Sequence, residues 1–380
     1  MRVAFYEPSE AAVAPSPFGG RDPADLVVSA LTACGHDLAR VAVPSLDERA
    51  PPPGPADVAA LIDRLRSPQN PPPELWITSL RAHDAVDPVG AAASAALGIP
   101  YVLMPSIPAA GRELGQDSAG HLRRTLAAAD ATILFASAQA ELFSQLLPDH
   151  GDRLVLLPPF IDFGRVAGVV SRRATLRTAL SLQHRLSPDV PWLIAAGPTS
   201  TDTHLEVWQL VARAAVQAST LDWQLIVAGN GPRRAHAEDL FRGSPRRLDR
   251  HVALAGPEDL TALLATGDIF LWPFDDSEGS STVLEAQAAG LPVIGPRNSS
   301  MLDVVANGQT GMLAKPDNIA SFANAITFML RHPDFRRGFA QKAPQWVGAN
   351  FDINVVAQRL SDALRRVSDA FRPGGQQTLA

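Results

Sequence analysis

The stretch Asp268-Ile-Phe-Leu-Trp-Pro-Phe-Asp-Asp-Ser-Glu278-Gly-Ser-Ser-Thr-Val-Leu-Glu285-Ala-Gln-Ala-Ala-Gly290-Leu-Pro-Val-Ile294 decides how the chain folds. An apolar run ends at Pro273, a polar loop follows, and a helix is expected to start near Ser281 or Thr282. A second apolar run begins at Pro292. Strand, helix and strand of these lengths predict two parallel strands joined by a right-handed crossover.

The same alternation extends in both directions. Before the middle of the chain, strands are expected at 2–6, 38–43, 75–80, 100–104, 131–135 and 153–157, with helices at 23–33, 58–65, 88–97, 119–128 and 138–147 between them. From Trp192 the pattern restarts with strands at 192–196, 224–228, 252–255, 269–272, 292–294 and 311–314, and three helices close it at about 317–331, 334–348 and 352–371. Residues 158–191 interrupt the alternation with Pro158, Pro159, Pro188, Pro191 and a basic stretch from Arg165 to Arg185, and read as a connection carrying one helix. A chain of 380 residues exceeds the roughly 250–300 that one hydrophobic core serves, so two domains are expected. The boundaries are placed at 1–165, 166–190 for the connection, 191–350, a terminal helix over 351–373 packing back on the first domain, and a tail over 374–380. Two doubly wound domains facing a central cleft would bind ligands at the carboxyl ends of their strands.

Composition removes several classes. With 46% hydrophobic and 19% charged residues the chain is a well-buried globular protein, and a net charge of −6 supplies no general field for nucleic acid. One cysteine, Cys34, excludes an internal disulfide; it is read as core on an apolar helix face. No run of about 18 apolar residues or signal-like leader is present, so a cytoplasmic location is expected.

Gly279, Ser280, Ser281 and Thr282 bring backbone N–H groups and hydroxyls to a helix N-terminus, an anion site suited to a diphosphate. Glu278 and Glu285 flank it and can accept hydrogen bonds from sugar or ribose hydroxyls. With Leu225-Ile-Val-Ala-Gly-Asn-Gly231-Pro, Val252-Ala-Leu-Ala-Gly256 and Asp303-Val-Val-Ala-Asn-Gly-Gln-Thr-Gly311, in this order, the chain resembles the retaining GT-B glycosyltransferases of the large group called family 4. The resemblance implies transfer of a sugar from a nucleotide-sugar donor to a glycan, lipid-linked or small-molecule acceptor, without metal or other cofactor. It places the donor mainly on the second domain, with Glu285 at the ribose, Glu278 at the sugar hydroxyls, and Gly279, Ser280, Ser281, Thr282, Gly197 and His204 around the donor phosphates. The acceptor falls to the first domain. Gly19, Gly20 and Arg21, after the first strand, match the family's glycine-containing loop, which makes Gly20, Arg21 and Glu278 the catalytic candidates.

The chain departs from that pattern in three places. Glu278 and Glu285 have six residues between them, one fewer than in the family. The segment from Ala196 to Leu205 lacks the usual arginine and lysine, leaving His204 as the nearest substitute. Leu80 stands where relatives often carry a histidine, with Arg81 and His83 close by. These departures motivate an alternative, a non-catalytic scaffold that partners an active transferase; a sugar-nucleotide epimerase ranks below it. Lipid-linked acceptors in relatives also make peripheral contact with the inner membrane face compatible with the sequence. Simpler readings stand beside the functional ones: Thr282-Val-Leu-Glu285 is a capping-box pattern, Arg172-Arg173 reads as a solvated face, and Gly229-Asn-Gly231 reads as a tight turn in place of a dinucleotide fingerprint.

Overall fold

The computed structural model describes residues 1–8, 23–41, 54–67, 71–80, 87, 89–105, 116–218, 220–242, 252–254, 260–274 and 279–372. The chain divides into two compact units. Among the described residues, one gathers those up to Leu157 together with Asn354 onward, and the other runs from Pro158 to Ile353.

The first unit alternates β1 (Arg2–Tyr6), α1 (Pro23–Ala33), β2 (Asp37–Val41), α2 (Pro55–Leu65), β3 (Leu75–Leu80), α3 (Gly90–Leu97), β4 (Tyr101–Pro105), α4 (Gln116–Ala128), β5 (Ala131–Leu134), α5 (Ser137–Leu146) and β6 (Leu154–Leu156). Its six strands are parallel in the order β2-β1-β3-β4-β5-β6. β3 and β4 are apolar on both faces because helices cover both sides of a parallel sheet, and Trp76, Ile77, Val102 and Leu103 are fully buried. Gly98 ends α3 at φ 67°, a left-handed cap that costs a residue without Cβ little.

The second unit opens with two helices, α6 (Phe163–Val170) and α7 (Arg173–His184), where the sequence suggested one. Then follow β7 (Trp192–Pro198), α8 (Asp202–Ala218), β8 (Gln224–Asn230), α9 (Arg234–Arg242), β9 (Val252–Leu254), α10 (Leu260–Thr266), β10 (Ile269–Leu271), α11 (Ser280–Ala288), β11 (Val293–Pro296), α12 (Ser299–Val304), β12 (Gly311–Ala314), α13 (Ile319–Arg331) and α14 (Pro333–Asn350). The parallel order is β12-β11-β10-β7-β8-β9, so the winding reverses between β7 and β10. In a doubly wound sheet that reversal opens a crevice at the carboxyl ends of the two strands. The last helix, α15 (Ile353–Ala370), groups with the first unit from Asn354 on, and there the buried Ser361 hydroxyl meets His36 Nε2 at 2.7 Å.

The stretches that enter and leave the second unit pair with each other. Ile161 and Asp352 form a parallel bridge, with Ile161 N–H donating to Phe351 O at 3.0 Å and Ile353 N–H to Ile161 O at 2.8 Å. Cys34, expected in the core, lies in the turn past the end of α1 and is partly exposed, because the helix stops at Ala33.

Candidate functional site

The reversal between β7 and β10 is where the sequence candidates of the second unit collect. β7 delivers Gly197 and the loop into α8, while β10 delivers Trp272, Pro273 and Phe274 and then the N-terminus of α11. Both helices therefore present their first N–H groups, which lack intrahelical acceptors, at the carboxyl end of the sheet.

Two glycines set the geometry. A Cβ on Gly197 would lie 1.8 Å from Phe274 Cε2, and one on Gly279 would lie 1.8 Å from Trp272 Cζ2. Both are glycine because aromatic rings lie where a side chain would begin. Trp272 and Phe274 are buried, pack on each other with centroids 5.2 Å apart, and continue to Trp208 at 5.5 Å and His204 at 5.8 Å. This aromatic group fixes the floor from which α8 and α11 start.

On the β7 side, Thr199 is fully buried, its hydroxyl has no partner among the described residues, and its carbonyl accepts from Arg233 N–H at 3.0 Å. His204 Nδ1 accepts from Ser200 N–H at 3.2 Å, which puts the ring proton of a neutral imidazole on Nε2. The arginine and lysine missing from this loop are not replaced within it; among the described residues a cation joined to it is Arg233, whose guanidinium pairs with Asp202 at the start of α8. Gly231, at φ 138°, turns the chain between β8 and α9, as a tight turn requires.

On the β10 side, Gly279 is the N-cap of α11, Ser280 and Thr282 are buried, and Ser281 is half-buried. Because the helix begins at Ser280, Thr282 already lies inside its first turn, and no side chain caps it. The capping-box reading of Glu285 is thereby overturned. Glu285 instead meets Arg165, with Arg165 Nη2 at 2.5 Å from Oε1, and Thr261, whose hydroxyl donates to Oε2 at 3.1 Å. Its side chain is 5% exposed. Glu278, Gly20 and Arg21 lie outside the described residues, as do Gly19, Arg81 and His83. The structure thus brings together Gly197, His204, Gly279, Ser280, Ser281, Thr282 and Glu285 within one unit. Sequence reading missed Arg165 and Thr261, which lie 120 and 24 positions from Glu285. The one local signal was Asp162, three residues before Arg165, which caps α6 by accepting Arg165 N–H at 2.9 Å.

Among the described residues no group of His, Cys, Asp and Glu side chains gathers as a metal site would need, and no helix is long and apolar enough to cross a membrane.

Two doubly wound parallel units in one chain define a protein of the GT-B fold. Solved structures agree: a glycosyltransferase from Rickettsia africae superposes with a TM-score of 0.75 at 11% identity, over 96% of this chain and 98% of that one. Anabaena HepE in complex with UDP gives 0.67 at 15%, over 96% and 100%. Residues 196–332 match the family model described as glycosyl transferases group 1. Among curated proteins, the chain is 24% identical over 227 residues to the alpha-D-kanosaminyltransferase of Streptomyces kanamyceticus, covering 59% of this chain. The match spans 56% of that relative, about half its length.

Proposed function

We propose that the protein transfers a sugar from a nucleotide-sugar donor to an acceptor with retention at the anomeric carbon. The observation that carries this reading is the amide-bearing N-terminus of α11 at the strand reversal of the second unit, with Glu285 a turn further on. A diphosphate there would receive the N–H groups of Gly279 to Thr282, the Ser and Thr hydroxyls and the positive end of the helix dipole. His204 Nε2 and the β7–α8 loop supply neutral donors from the other side, and Glu285 accepts from the ribose. Glu278 orients the sugar. We assign acceptor recognition to the first unit and take the acceptor to be a glycan, lipid-linked or small molecule. In the reaction the anomeric carbon–phosphate oxygen bond breaks while the acceptor oxygen bonds to the same face. The acceptor proton passes to the departing diphosphate. The group 1 match over 196–332 and the likeness to a UDP-bound fold support a nucleotide-sugar donor, and no step calls for a metal or cofactor.

Calorimetry with UDP, GDP, ADP and dTDP tests this. Binding of one nucleotide, abolished by Glu285→Ala, is expected, followed by hydrolysis or transfer from the corresponding nucleotide sugar. Absence of binding by all four would overturn the reading. It would favour a non-catalytic scaffold, for which the observation is the lack of any lysine or arginine between Ala196 and Leu205.

A further inference from the structure

Glu285, Arg165 and Thr261 form a closed ring. Arg165 Nη2 donates to Glu285 Oε1 at 2.5 Å, Arg165 Nη1 donates to Thr261 Oγ1 at 3.2 Å, and Thr261 donates to Glu285 Oε2 at 3.1 Å. Three helices contribute one member each: α6, α10 and α11. Each member is also set by its own backbone. Asp162 caps α6 at Arg165, and the backbone at Ile161, just before that cap, is bonded to Phe351 and Ile353. Thr261 lies in the first turn of α10 and is fully buried.

An unpartnered glutamate on a helix samples several staggered rotamers. The ring selects one, and it grips both oxygens, so the carboxylate plane is fixed as well as its position. Arg165 can do this where a lysine would do it less well, since a guanidinium offers two N–H groups in a rigid fork. The arginine is not simply buried ballast: its side chain is 30% exposed, against 5% for the glutamate it holds. We propose that Arg165 is a positioning residue of the donor site, aligning Glu285 on the ribose and so setting the preference for ribonucleotides over 2′-deoxyribonucleotides. This rests on the donor-site reading above. It assigns Arg165 no contact with phosphate.

The test compares UDP, GDP and ADP each with its 2′-deoxy form, together with dTDP, on the wild-type protein and on Arg165→Met. A wild type that binds dTDP in preference to the three ribonucleotides would overturn the inference while leaving the donor site standing. The wild type is expected to prefer the ribonucleotide by about tenfold, the worth of one well-made hydrogen bond to a charged acceptor. In Arg165→Met that ratio should fall to about one, through weaker binding of the ribonucleotide alone, and Arg165→Lys should recover part of it. A variant that keeps the ratio, or weakens both nucleotides equally, would show Arg165 to be purely structural and overturn the inference while leaving the donor site standing. A wild type that binds nucleotides without preference would overturn it in the same way. A wild type that binds none removes the donor-site reading and this inference together. Should Arg165→Met fail to fold, Thr261→Val removes the other arm of the ring, and the same collapse of the ratio is expected; a retained ratio overturns the proposal.

Discussion

Two carboxylates of the second unit are each held by arginines from the same helical stretch, and they are built for different purposes. Asp268, just before β10, accepts from Arg173 Nη2 at 3.0 Å, Arg177 Nη1 at 2.9 Å and the backbone of Trp192 at 2.8 Å. The arginines there also donate to the carbonyls of Ala265, Thr266, Gly267, Pro188 and Val190, and Arg177 lies 4.3 Å above the Trp192 ring. That cluster sits where β7 begins and β10 is about to, the end of a parallel sheet opposite to its ligand crevice. Beyond Asp268 its donors end on backbone carbonyls, so it ties α7 to the sheet. The Glu285 ring hangs on α11, the helix that starts at the carboxyl end of β10, and its members are side chains throughout. The same chemical pair is thus a staple at one end of the sheet and a means of aiming a carboxylate at the other. Position along the strands separates the two roles.

The largest effect should come from breaking the staple. Asp268→Ala leaves two half-buried guanidiniums without their carboxylate and should lower unfolding stability by about 2–3 kcal/mol, below the full value for a buried pair because the cluster is partly exposed. Arg173 shows the strain already: burial pushes its guanidinium below the usual arginine range, opposed by Asp268. Urea unfolding measures the loss, and nucleotide affinity per folded molecule should stay unchanged. Next, Gly279→Ala drives a methyl into the Trp272 ring and should cost about 2 kcal/mol by overpacking while also weakening nucleotide binding, since the first amides of α11 must shift. Glu285→Gln reverses the ranking seen at Asp268. It keeps the side-chain shape and should cost only about 1 kcal/mol of stability, with the loss appearing mainly in nucleotide affinity.

The smallest effect belongs to a buried group with no carboxylate in its grip. Burial first, then the N-terminal amine and Arg365, hold the His36 imidazole below its usual value, with the Met1 backbone and Glu74 opposing. Its folded form therefore prefers to be neutral. The stability this contributes is present above about pH 6.5, the unfolded value, and is lost as pH falls below it. His36→Gln should flatten that part of the stability–pH curve, measured by thermal melting between pH 5 and 8, values spanning about 1.5 units on either side of the unfolded value.

Much of the fold was legible because apolar runs and turn residues are local signals. The sequence reading placed β3 at 75–80, α1 at 23–33 and β12 at 311–314, and the structure has them there. The connection was harder, since α6 and α7 carry inward-facing arginines that look like a solvated face when read along one chain. Arg173, taken for such a face, is half-buried against Asp268, which lies 95 positions away. The start of α11 at Gly279 to Thr282 was legible, and Glu285 was singled out beside it, but the side chains that hold Glu285 were not. Its capping-box spacing is a local pattern, while its real partners come from α6 and α10. Only the packing of three helices brings them together.

The bridge at Ile161 and Asp352 has a consequence for dissection. The described residues of the second unit run in one length from Pro158 to Ile353, and the two ends of that length are joined by backbone hydrogen bonds. The first unit has described residues on both sides of that length, up to Leu157 and from Asn354 on. Excised as a piece, residues 158–353 would carry both halves of their own fastening, whereas the remainder would have to be spliced from Leu157 to Asn354 before it could close its core. In cloning terms that length is a cassette that carries its own clasp.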